Sequence, residues 1–193
     1  MKKWIAMLLA LVLALALVGC AGGNTSENEG GEDAAPVATD SLDLLNKIWE
    51  TYTDEEKFPV MGGDFNEENQ SMEGPGTFGI EDTAVLDNTL AMPADCADQL
   101  ENAASLMHMM NANTFTCGAY QVKADADLEV LTAAIQKNIA NRQWICGAPQ
   151  QYYIATIDNF VIAAFGHDEL MDVFKGKVAE VYPDIQVAYE QAI

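Results

Sequence analysis

Hydrophobic positions divide this chain into three stretches. An unbroken apolar run extends from Trp4 to Val18, preceded by Lys2 and Lys3 and closed by Leu17-Val18-Gly19-Cys20. Residues 21–36 contain no large apolar side chain at all. From Asp40 onward, apolar residues recur at the spacings of helices and strands. The first run, about 15 residues, is shorter than the roughly 20 that span a bilayer, and its basic flank suits a secretory signal core.

Helical period marks three segments of the third stretch. Leu42, Leu45, Ile48, Trp49 and Tyr52 stand at i, i+3, i+6, i+7 and i+10 behind Asp40, a residue suited to capping a helix N-terminus. Leu128, Leu131, Ile135 and Ile139 follow Asp125, with Lys137 and Arg142 late, where the helix dipole favours cations. Leu170, Val173, Phe174, Val178 and Val181 follow Asp168 and stop before Pro183; Gly176 interrupts this stripe at a cost of about 1 kcal/mol.

Strand character lies between them. Tyr152 to Ile157 and Phe160 to Phe165 are rich in β-branched and aromatic residues and are separated by Asp158-Asn159, a two-residue hairpin signal. The same order occurs earlier: Leu106 to Asn111, a polar turn at Ala112-Asn113, Thr114 to Val122, then the helix after Asp125. In this first unit Cys96, Leu100, Ala103, Ala104, Met107 and Met110 also fit one helical face, and Ala, Leu and Met favour helix. The repeat and the turn residues Asn111 to Asn113 favour strand. Ile185 to Tyr189 alternates and adds a fifth strand, although a short helix also fits. The pattern predicts a single α+β domain over residues 40–193. Two successive β-hairpin–helix units form an antiparallel sheet with helices on one face, preceded by an N-terminal helix.

The phrases Asn113-Thr114-Phe115-Thr116-Cys117-Gly118-Ala119-Tyr120, Gln143-Trp144-Ile145-Cys146-Gly147 and Ala163-Ala164-Phe165-Gly166 accompany a Cys20 that follows small residues as in a bacterial lipobox. Together with the order of elements they resemble a group of small uncharacterised lipoproteins of Gram-positive-type bacteria that carry a domain of unknown function. The resemblance implies the fold and the cellular address and brings no active site with it. Residues 1–19 then read as a lipoprotein signal peptide and residues 20–39 as a lipidated Cys20 followed by a disordered acidic tether, with an r.m.s. reach of roughly 25 Å. A diacylglyceryl group on Cys20 would hold the protein in the lipid bilayer, on the extracytoplasmic face of the cell membrane.

Charge narrows the choice of partner. The formal net charge is −21, and loss of Lys2 and Lys3 with the signal takes it to −23. Such a surface repels nucleic acid, which is excluded as a partner, and attracts cations, although acidity of this kind is usually a solubility device.

Candidate chemistry is sparse. With Cys20 lipidated, three cysteines remain, enough for one internal bridge. About six residues of strand carry the chain some 20 Å forward from Cys117, and a helix from Asp125 to about Asn141 returns about 24 Å, bringing Cys146 back near the level of Cys117. A Cys117–Cys146 disulfide is the expectation, with bridges to Cys96 or free thiols as the alternatives. Met107-His108-Met109-Met110 offers soft ligands, and Met107, His108 and Met110 form an alternative metal set suited to cuprous ion. On a strand, however, only alternate side chains converge, and Met is a common core filler. Asp125-x-Asp127-x-Glu129 lacks the glycine and distal Glu of a calcium loop and fits helix capping. Two histidines, His108 and His167, and no nucleophile or zinc motif argue against an enzyme, and no cofactor is expected.

The segment from Phe58 to Gly79 is long for an unstructured connection and carries Gly62-Gly63 and Gly74-Pro75-Gly76 around Met61, Phe65 and Phe78. These three are the candidate ligand-binding residues; the competing reading is a loop that buries its own aromatics. The expected function is a non-enzymatic binding module for an envelope protein or small ligand, with soft-metal or small-solute handling as the alternative.

Overall fold

Alternation along the central strands decides the architecture. In the computed structural model, which describes residues 37–145 and 147–193, Phe115, Cys117 and Ala119 project to one face of a sheet while Tyr120 and Val122 project to the other. Ala155, Ile162 and Ala164 repeat the first pattern; Ile154, Val161, Ala163 and Phe165 repeat the second. Both faces are therefore apolar, and both are covered.

The strands are β1 (Val60–Gly62), β2 (Gly76–Phe78), β3 (Leu100–His108), β4 (Phe115–Val122), β5 (Gln151–Ile157), β6 (Phe160–Gly166) and β7 (Gln186–Ala192). They form a seven-stranded antiparallel sheet in the order β1-β3-β4-β6-β5-β7, with β2 also on β3. Four helices accompany them among the described residues: α1 (Ser41–Trp49), α2 (Thr83–Leu90), α3 (Leu128–Asn141) and α4 (Asp168–Val181). The class is α+β, as the sequence indicates. The second hairpin closes as expected, with Ile157 opposite Phe160 and Asp158 at φ +49 in the turn between them, whereas the first, expected to turn at Ala112-Asn113, is joined by the longer connection 109–114, with Met107 opposite Thr116. The tail is a strand, and the contested Leu100–His108 segment is a strand that begins earlier than its apolar pattern suggested. Asp40 caps α1 by accepting from the Asp43 amide at 2.8 Å. Asp127 rather than Asp125 caps α3, and α4 starts behind His167 with Asp168 in its first turn.

Expecting all helices on one face was incorrect. Leu44, Leu45 and Ile48 of α1 and Met171, Phe174 and Val178 of α4 lie in one core; Leu86 and Leu90 of α2 and Leu131, Ile135 and Ile139 of α3 lie in the other. Crossover handedness explains the split. The connections β4–α3–β5 and β6–α4–β7 each join parallel strands separated by one intervening strand and step across the sheet in the same direction. β4 and β6 are antiparallel, so two right-handed crossovers must place their helices on opposite faces.

On the β3 edge, β1 pairs Val60–Gly62 with His108–Leu106, and β2 pairs Gly76–Phe78 with Ser105–Ala103. The register runs on without a gap along β3. β1 and β2 are thus one edge strand, interrupted by residues 63–75. No helix of the described residues is long and apolar enough to cross a membrane; residues 1–36, including the apolar run and Cys20, lie outside them.

Candidate functional site: a pinched edge loop

The loop 63–75 closes because its neck is made of glycine. A Cβ on Gly62 would overlap the backbone of Gly74, Pro75 and Gly76, and one on Gly76 would overlap Asn69, Gly63 and Gly62. Gly63 has φ +85, in the left-handed region. Inside the neck, the fully buried Ser105 hydroxyl accepts from the Gly63 amide at 2.9 Å and donates to the Gly63 carbonyl at 3.0 Å. Gly62 and Ser71 exchange two backbone bonds, at 2.7 and 3.0 Å.

Asp64 organises the interior of the loop. It is 8% exposed. Its Oδ1 accepts from the Asn66 amide at 2.8 Å, and its Oδ2 accepts from Asn69 Nδ2 and the Gly79 amide, both at 2.9 Å. Burial pushes this carboxyl upward, but the three hydrogen bonds outweigh it and hold the group below the ordinary carboxylate value. On the far side, Trp49 Nε1 of α1 donates to the Glu73 carbonyl at 2.9 Å.

The loop so fixed presents Phe65, 71% exposed, and Met72, 55% exposed. Beside Phe65 lies a cleft of about 300 Å³ lined by Asp64, Phe65, Asn66, Gly79, Glu81 and Asp82, with Phe78 and Val85 at its floor. Of the three expected ligand-binding residues, Phe65 alone is offered to solvent. Met61 is half-buried against the α2/α3 core, and Phe78 is 2% exposed within that core. Phe78 is corrected to a packing residue, because β2 alternates and its third residue points inward. Of the residues that build the loop, Asp64 and Ser105 were not singled out in the sequence and Trp49 was read only as part of the first helix's apolar stripe; the one available signal was a serine inside the apolar run Ala103 to Met107.

The alternative metal set does not converge. Met107 faces the α2/α3 core at 4% exposure. His108 stacks on Phe58 with ring centroids 5.8 Å apart, and its Nδ1 accepts from the Met110 amide at 3.3 Å. Met110 is 79% exposed. Among the described residues no three of His, Cys, Asp and Glu are grouped to hold a metal.

The expected disulfide is also corrected, on the side of Cys117. Cys117 is a free thiol with no exposed surface, on the α1/α4 face, and burial raises its pKa far above the usual thiol range. Trp144, which precedes Cys146, packs on the opposite face against Phe165. The chain does return to the expected level, since Asn113 Nδ2, just before β4, donates to the carbonyls of Ile145 and Gly147, both at 2.7 Å. Level along the strand does not fix the face a side chain takes, and Cys117 faces away from the side on which Trp144 packs. Cys146 itself lies outside the described residues.

Compared with protein families, curated proteins and solved structures, the chain matches none.

Proposed function

We propose that this protein is a lipid-anchored extracytoplasmic binding module without catalytic activity, which contacts a partner of the cell envelope through the 63–75 loop. The signal-like N-terminus ending at Cys20 supports the address. The observation that carries the binding role is Phe65: a ring 71% exposed, next to a carboxylate 8% exposed that fixes its backbone. Leaving an aromatic ring in water forfeits roughly 1.5–3 kcal/mol of burial, and a rigid loop loses little further entropy on binding. The histidines favour no hydrolytic role, since His108 is committed to Phe58 and Met110, and His167 precedes a helix.

The test is a cross-linked pull-down from detergent-solubilised envelopes with the full-length protein. Phe65→Ser together with Met72→Ser should abolish recovery of the partner while leaving the melting temperature within about a degree or two, as expected of exposed positions. Phe78→Ser should instead destabilise by about 3–5 kcal/mol, as large-to-small core changes do. Undiminished partner recovery by the double variant would refute the loop as contact surface. Membrane partitioning of Cys20→Ser as an acyl-labelled protein would refute the anchor.

A further inference from the structure

A cleft of about 500 Å³ lies away from the loop. One wall is Asp87 with Pro93 to Cys96; the other is the second half of α3, from Ala134, with Arg142 just past its end. Its walls are pinned. Arg142 donates to the carbonyls of Asn88, at 2.9 Å, and Asp87, and to Asp87 Oδ1 at 3.2 Å. Asn138 Nδ2 donates to Asp87 Oδ1 at 2.9 Å and to the Ala91 carbonyl at 3.0 Å, and the buried Tyr120 hydroxyl donates to the Leu90 carbonyl at 2.7 Å. These bonds hold Ala91 at φ +62, a left-handed conformation that costs a non-glycine residue and persists only where its surroundings impose it.

Charge at this cleft departs from the rest of the surface. On a chain with net charge −21, its lining balances Asp87 and Asp95 with Lys137 and Arg142. Arg142 and Asp87 are spent on each other and on the α2 terminus. Lys137 and Asp95 are not. Among the described residues, Lys47, Lys175 and Lys177 are in ion pairs, Lys123 donates to the Asp98 carbonyl and Lys57 lies over Trp49. Both groups are exposed, and among the described residues the Lys137 ammonium makes none of these contacts and the Asp95 carboxylate accepts no hydrogen bond. One uncommitted cation, from α3, and one uncommitted anion, from the 93–96 segment, thus line the same cleft as Pro93, Ala94, Cys96 and Ala134. Burial, then Asp95 and Asp98, raise the Cys96 pKa and keep its thiol neutral, so it contributes apolar surface rather than a nucleophile.

We propose that this cleft binds a small zwitterion of the α-amino-acid class, its carboxylate on Lys137, its ammonium on Asp95 and its side chain against Pro93 and Ala134. The volume falls within the range of small-ligand pockets, and two charge-assisted contacts of opposite sign in one cleft favour a molecule carrying both charges. A carboxylate or an amine alone would leave one wall unpaired.

The test is equilibrium dialysis of the full-length protein in detergent with L-leucine and its two halves, 4-methylpentanoate and 3-methylbutylamine. L-leucine should bind saturably, with each half at least about tenfold weaker. Lys137→Ala and Asp95→Ala should each lose about tenfold or more, with Lys137→Arg and Asp95→Glu recovering most of it. Phe65→Ser should change nothing, which separates this site from the loop. Absence of saturable L-leucine binding, equal binding of either half, or unchanged binding by Lys137→Ala would overturn the proposal.

Discussion

Asp64 does more for the loop than any other side chain, because its carboxylate satisfies two amides and one side-chain amide that would otherwise be orphaned at a sharp bend. Its folded-state pKa is depressed, so its contribution is fully present above the unfolded carboxylate value and is lost as pH falls through the lower folded value. The protection factor of the Gly79 amide should therefore fall at acid pH below the ordinary carboxylate range, before global unfolding. Asp64→Asn should remove this step and cost about 1.5–3 kcal/mol in urea unfolding, the range for hydrogen bonds to a charged group. A Gly79 amide equally protected in wild type and variant would show that the neck glycines hold the loop without it.

Among the elements, strand parity matters most. Cys117 faces the α1/α4 core, and the chain after α3 runs on the other side, so the thiol should resist iodoacetamide in the folded protein and be alkylated in urea without reductant. If alkylation in urea required reductant, a bridge would be present and the face assignment wrong. The elements themselves were largely legible. Leu44-Leu45-Ile48 and Leu131-Ile135-Ile139 carry helical period, and Asp158-Asn159 marks the hairpin between two β-rich runs. The strand at Leu100–His108 had to be inferred from the repeat, because its own Ala, Leu and Met favour helix and tertiary pairing overrides that preference. α2 was missed, its eight residues carrying only Leu86 and Leu90 as a buried helical pair, and β1 and β2 were missed because three residues carry no period. Which face each helix takes is encoded in sheet order, which local pattern does not contain. In the site, the Gly-rich flanks exposed the loop and Phe65, whereas Phe78 was misread because the phase of a three-residue strand is set by its partner. The zwitterion cleft gave no sequence signal: Asp95 and Lys137 are distant in the chain and ordinary in type.

At the scale of the whole molecule, charge governs the energetics outside the core. Thirty acidic residues against nine basic ones leave most carboxylates without a cation, and the ion pairs present, such as Lys175–Glu190 at 2.8 Å, are partly exposed. Self-repulsion should therefore outweigh pairing, and screening should favour the folded state. Raising sodium chloride from about 10 to about 150 mM, where the Debye length falls to about 8 Å, should raise the melting temperature by about 2–4 °C per kcal/mol of repulsion relieved. A fall would mean that the ion pairs dominate. The interrupted edge strand has one further consequence, for redesign. Because β3 holds the register on both sides of the neck, foreign peptide can be spliced between Asp64 and Pro75 without displacing either flank, and closure entropy rises by only about 0.6 kcal/mol for each doubling of insert length. The neck makes this domain a cassette for displaying grafted sequences from the side of a sheet.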